Sequence, residues 1–143
     1  MSRERFEFRR QQFATAVTRL REANDDYLGR DRIVAAGFDP VRVERMTRDS
    51  VIQRFEFAYE LGWKTLKDWL QDQGVQAGTP KQALGAAYES QLIADLSGWS
   101  DIQEMRNLTS HLYDEEKARE VAEFVSQQGL ALFEELAQRL AQA

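Results

Sequence analysis

Residues 48–70 read RDSVIQRFEFAYELGWKTLKDWL, and this stretch decides the fold. Val51, Phe55, Tyr59, Gly62, Leu66 and Trp69 recur at helical spacing along one side. Phe57, Leu61 and Thr65 follow along another. The pattern predicts a long helix from about Asp49 to Gln73, ended by Gly74. A helix that is apolar on two sides is usually buried on two sides. One side would face its own core, and the other offers a surface to a second chain.

Working outward, every neighbouring segment also reads as helix. Phe6, Phe13, Val17, Leu20 and Tyr27 form one apolar stripe, which predicts a first helix from about Arg3 to Tyr27 with Gly29 as its stop. Residues 30–47 read as a charged connector, with a turn at Gly37-Phe38-Asp39-Pro40 and a short helix from Val41 to Met46. Thr79-Pro80-Lys81-Gln82 is a helix start, with Thr at the N-cap and Pro in the first helical position; that helix runs to about Leu92. A short helix beginning near Asp95 or Ser97 carries Trp99, Ile102, Met105 and Arg106 and ends close to His111. Asp114 caps the last helix, whose stripe is Val121, Val125, Leu132, Leu136 and Leu140. The expectation is an all-α, up-and-down bundle of four to five helices, one domain over residues 1–143.

Composition removes several function classes. The 143 residues include no cysteine and one histidine, so Cys nucleophiles and Cys or multi-His metal sites are excluded within a chain. No metal and no cofactor is expected. The net charge of −5 argues against a broad phosphate-binding surface, so any nucleic-acid contact must be local. The N-terminus is charged from Arg3 onward, and no apolar run approaches the roughly 20 residues that span a bilayer. A cytoplasmic location without membrane association is the expectation.

The chemistry concentrates in Arg106-Asn107-Leu108-Thr109-Ser110-His111-Leu112-Tyr113. An arginine holds a phosphate through two parallel charge-assisted hydrogen bonds. A histidine exchanges protons near neutrality. Together they form a minimal kit for cutting a phosphodiester without a metal. On an ideal helix, residues five apart lie about 140° around the axis, so a shared site needs the helix to end or kink near 110–113. The alternative is plainer: a histidine at a helix C-terminus simply caps carbonyls. Similarly, Arg3, Arg5, Arg9 and Arg10, interleaved with Glu4 and Glu7, read as a solvated helix face. Glu56 and Glu60, one turn apart, are candidates to orient Arg106 or His111, or else ordinary surface carboxylates.

The 48–70 segment, the Pro80-Lys81 helix start, Trp99 and MRNLTSHLYDEEKA at 105–118 together resemble the nucleotidyltransferase substrate-binding proteins, which include the HepT toxins of the HEPN superfamily. The resemblance covers about residues 48–140 well, and RN-x-x-SH-x-Y is intact. It implies a helical bundle and a metal-independent endoribonuclease in which Arg106 and His111 are catalytic, with Asn107 and Ser110 supporting them. It also implies a toxin–antitoxin pair in which a minimal nucleotidyltransferase, the MNT antitoxin, places AMP on Tyr113. The family's older name implies a different role, a non-catalytic subunit that presents substrate to a separate nucleotidyltransferase. Metal-free RNA cleavage usually needs one base and one acid. With one histidine per chain, a homodimer that brings two motifs into one cleft would supply both.

Overall fold

The computed structural model describes residues 2–111 and 113–143. Met1 lies outside them, as does Leu112 inside the Arg–His motif. Among the described residues every regular element is helical. In chain order these are α1 (Ser2–Leu28), α2 (Arg30–Ala35), α3 (Pro40–Asp72), α4 (Pro80–Glu89), α5 (Leu96–Leu108), a 3-10 turn (Thr109–His111), α6 (Glu115–Phe124), a π segment (Val125–Gly129) and α7 (Leu130–Gln142). None of them is long and apolar enough to cross a membrane.

Local chemistry sets most boundaries. Thr79 caps α4 by accepting the Gln82 N–H at 3.2 Å, with Pro80 in the first turn. Asp114 caps α6 by accepting the N–H groups of Glu116 and Lys117. The expected connector over 30–47 is the main correction. The chain instead forms α2, turns at Gly37, and enters α3 at Pro40. Gly37 has φ +108°, where a side chain would be strained. Asp39 then accepts the Arg42 N–H at 3.0 Å, and Pro40 occupies the first helical turn. Pro40 therefore starts a helix as Pro80 does, and Val41–Met46 is the first part of α3 rather than a separate helix. At the other end α4 stops at Glu89 rather than near Leu92, because Gln91 takes φ +65°. The Leu92 N–H then closes back on the Ala87 carbonyl at 2.9 Å.

Side-chain pairs across the bundle give its topology. Arg3 faces Asp72, Arg5 and Arg9 face Asp68, and Phe13 touches Gly62. Numbers rise along α1 as they fall along α3, so the two run antiparallel. A Cβ at Gly62 would sit 3.0 Å from the Phe13 ring, so the bare glycine permits this close crossing. Arg21–Glu134 and Ser126–Asn24 place α1 antiparallel to the C-terminal helix in the same way.

The core is organised on Phe133 of α7, which has no solvent exposure. Its ring meets Phe13 of α1, Phe55 of α3 and Trp99 of α5 edge-on, at 6.1, 5.8 and 5.3 Å between centroids. These edge-to-face contacts are the favoured aromatic geometry. They fix α5 relative to α3, and so fix where Arg106 points. The whole α1 stripe, Phe6 to Tyr27, is buried, as are Val51, Phe55, Tyr59, Gly62 and Leu66 of α3.

The position of α5 also depends on Gly98. Asp95 caps α5 by accepting the Gly98 N–H at 2.8 Å. A Cβ on Gly98 would lie 2.6 Å from the Asp95 carboxylate and 2.9 Å from Leu132. Gly98→Ala is therefore expected to lose the cap and crowd α7, costing about 1–3 kcal/mol. Urea unfolding checks this; a stability within about 0.5 kcal/mol of the parent would show that both neighbours move aside freely.

Candidate active site

Arg106 lies in the last turn of α5 and reaches across to α3. Its Nη1 donates to the Thr109 hydroxyl at 2.8 Å and lies 3.6 Å from Glu56 Oε2. Its Nε lies 3.8 Å from Glu60 Oε1, is itself buried, and makes no hydrogen bond. The two acids thus hold the guanidinium by charge, while among the described residues most of its five N–H donors stay uncommitted. Such a group is positioned, yet still able to grip an incoming phosphate. Glu56 and Glu60 are brought together with Arg106, one turn apart on α3.

Thr109 is a residue that sequence reasoning missed as a positioning group. It is buried, accepts from Arg106, and donates to the Arg106 carbonyl at 2.7 Å. The only signal was its place three residues after Arg106. Tyr59, also on α3, borders the same cluster. Burial raises its phenol above the usual range, opposed by a hydrogen bond from Gln103; the Glu60 charge adds to the rise and the Arg106 charge works against it. Tyr59 is therefore a neutral hydroxyl beside the guanidinium. Trp63 completes the edge by donating its indole N–H to Glu60 at 3.2 Å.

The helix ends where local preference predicts. Past Leu108 the chain tightens into the 3-10 turn, and the Asp114 N–H closes on the His111 carbonyl at 3.0 Å. His111 is exposed, and among the described residues its ring makes no hydrogen bond or ion pair, with Arg106 or any other group. The Ser110 hydroxyl donates to the Asn107 carbonyl at 2.8 Å, which secures this helix end, and both residues are exposed. Tyr113 is fully exposed. It borders an open groove of about 820 Å³ with Met46, Gln53, Glu56 and Phe57. Glu56 therefore touches both the arginine and the groove. Among the described residues, no group of three or more His, Asp and Glu could hold a metal ion.

Residues 8–142 match the family model described as nucleotidyltransferase substrate binding protein like. The chain belongs to that family. A solved family-like structure, HI0074 of Haemophilus influenzae, superposes with a TM-score of 0.82 at 30% identity, over 93% of this chain and 99% of the other. That structure was described as revealing the fold of a substrate-binding domain of a nucleotidyltransferase. A protein of Thermus thermophilus gives a TM-score of 0.70 at 27% identity, over 90% and 98% of the two chains. A Haemophilus influenzae protein named "Probable ribonuclease HepT" is 43% identical over 75 residues, 49% of this chain. That match spans about half, 51%, of the relative. As a member of the substrate-binding family, the chain has the all-helical fold its sequence predicts.

Proposed function

We propose that this protein is a metal-independent endoribonuclease of the HepT type, acting through Arg106 and His111. The supporting observation is the Arg106 guanidinium, held between Glu56 and Glu60 with donors to spare, beside an open groove and one turn from an exposed His111 that pairs with no described residue. Arg106 would bind the scissile phosphate, and Glu56, Glu60 and Thr109 would orient it. His111 would carry the proton to or from the reacting oxygens. Asn107 and Ser110 support the helix end that displays His111. The name of the relative matched over about half its length points the same way. The test is cleavage of RNA by purified protein, free of partner and of modification, in EDTA. Cleavage supports this reading, and no cleavage leaves the substrate-presenting role that the HI0074 description favours.

The active form in this proposal is a homodimer. Phe8, Met46 and Phe57 are large apolar residues about half exposed or more. Phe57 lines both the Tyr113 groove and a second groove between α1 and α3 with Phe8, Ala16 and Leu61. Large exposed apolar side chains grouped along two adjoining grooves support an interface there. A twofold partner on it would bring a second His111 to the same cleft and supply the acid and base together. Phe57→Glu is expected to give a folded monomer by light scattering, with cleavage lost. A parent protein that is itself monomeric yet active would overturn the composite site.

Control would come from a cognate MNT-type nucleotidyltransferase that places AMP on Tyr113. The exposed hydroxyl is open to an enzyme, and the added phosphate and adenosine would occupy the groove beside Glu56 and compete for Arg106. Co-expression with such a partner is expected to add AMP to Tyr113 by mass spectrometry. Full neutralisation with Tyr113 unmodified would mean that the partner acts by covering the site.

A further inference from the structure

Of the four clustered α1 arginines, Arg3 and Arg10 pair with Glu7 on their own helix, whereas Arg5 and Arg9 reach across to α3. Arg5 Nε and Arg9 Nη1 converge on Asp68 of α3, at 3.9 and 3.3 Å. Asp68 is only 3% exposed. One arginine would balance a buried carboxylate. Here Arg5 and Arg9 meet it, and Lys67 lines the same open pocket of about 400 Å³, bordered by the chain around Gln76. The pocket lining carries three cations and one anion, a local surplus of two positive charges on a chain whose net charge is −5. Neither arginine reaches Asp68 with hydrogen-bond geometry, and among the described residues Asp68 Oδ2 has no hydrogen-bond partner. The guanidinium donors are therefore anchored by charge but unspent, which is what an incoming phosphate needs.

The pocket lies in line with Arg106. Glu60, Trp63 and Lys67 follow one another at spacings of three and four on one side of α3. Glu60 faces Arg106, Trp63 donates to Glu60, and the Lys67 ammonium sits 6.0 Å from the centre of the Trp63 ring. Glu60 and Lys67 are two turns apart, roughly 10 Å along the axis. That separation is within reach of a single strand running along α3.

We propose that the Arg5–Arg9–Lys67 pocket binds a backbone phosphate of single-stranded RNA, on the strand that passes Arg106. This rests on the ribonuclease reading for the identity of the ligand, but its test is binding rather than cleavage. Binding is measured in a His111→Ala background, with a labelled RNA of about ten nucleotides and with a dinucleotide too short to reach from Arg106 to Lys67. The double change Arg5→Gln/Lys67→Gln leaves Arg9 on Asp68, so the buried carboxylate keeps a partner. It is expected to weaken the longer RNA about tenfold and to reduce the slope of log affinity against log salt by about 0.7, one single-strand phosphate contact. Dinucleotide binding should hold within about twofold. Lys67→Gln alone, which removes no partner of Asp68, should show a smaller change in the same direction.

Equal loss for both RNAs, or no loss for either, would overturn the proposal. So would the absence of RNA binding by the His111→Ala parent. If the pocket is needed for the longer RNA while the wild-type protein cuts nothing in EDTA, the pocket stands and the ribonuclease reading fails.

Discussion

His111→Ala is expected to abolish metal-independent RNA cleavage while the protein stays folded. Removing the group that moves the proton costs typically 10²–10⁴-fold in rate. A homodimer would lose both of its histidines at once, which puts the loss at the upper end. The structure supplies the folding control, since the ring is exposed and bonded to no described residue. Arg106→Ala should match it through lost phosphate binding and lost stabilisation of developing charge, about 10²–10³-fold. Its effect on stability should be small, because its contacts with Glu56 and Glu60 are partly exposed ion pairs. Arg106→Lys keeps the charge but not the planar fork, so it should recover only part of the activity. Circular dichroism and a gel assay in EDTA decide the matter. Undiminished cleavage by His111→Ala would remove the histidine from the mechanism.

Phe133→Ala is expected to be the most destabilising single change among the core aromatics. The ring is fully buried and is the common neighbour of Phe13, Phe55 and Trp99. Truncation leaves a cavity where four helices meet, with a cost of about 3–5 kcal/mol. That is a large part of the roughly 5–15 kcal/mol that holds a domain folded. The denaturant midpoint should fall with the slope unchanged. A second consequence follows from position. Trp99 rests on Phe133 and belongs to the same helix as Arg106, so loosening the core should impair cleavage even where the variant is folded. A loss of stability below about 1 kcal/mol would mean that the core closes around the gap.

The helices are legible because their signals are local. Asp114 and Thr79 cap helices through N–H groups two or three residues ahead, so residue type and spacing suffice. The apolar stripes of α1 and α3 are legible for the same reason, since a buried face repeats with the helical period. The connector is harder to read because a proline marks a break and a helix start alike. Asp39 before Pro40 makes the same start as Thr79 before Pro80. The π segment at Val125–Gly129 leaves no sequence signal, and past it the buried face carries Phe133, with Leu132 of the expected stripe only partly buried.

By itself the sequence determined an all-helical chain, a helix end between Arg106 and Tyr113, and the residues with chemistry to offer. Only the tertiary structure decided which charges meet. Arg106 has no sequence neighbour to mark Glu56 and Glu60 as its partners, and Arg5 and Arg9 look like companions of Glu4 and Glu7 until α3 delivers Asp68. Caps and stripes act within a few residues along the backbone. The partner of a long charged side chain depends instead on how one helix is rotated and shifted against another. Here that rotation is set by aromatic packing around Phe133 and by the close crossing at Gly62.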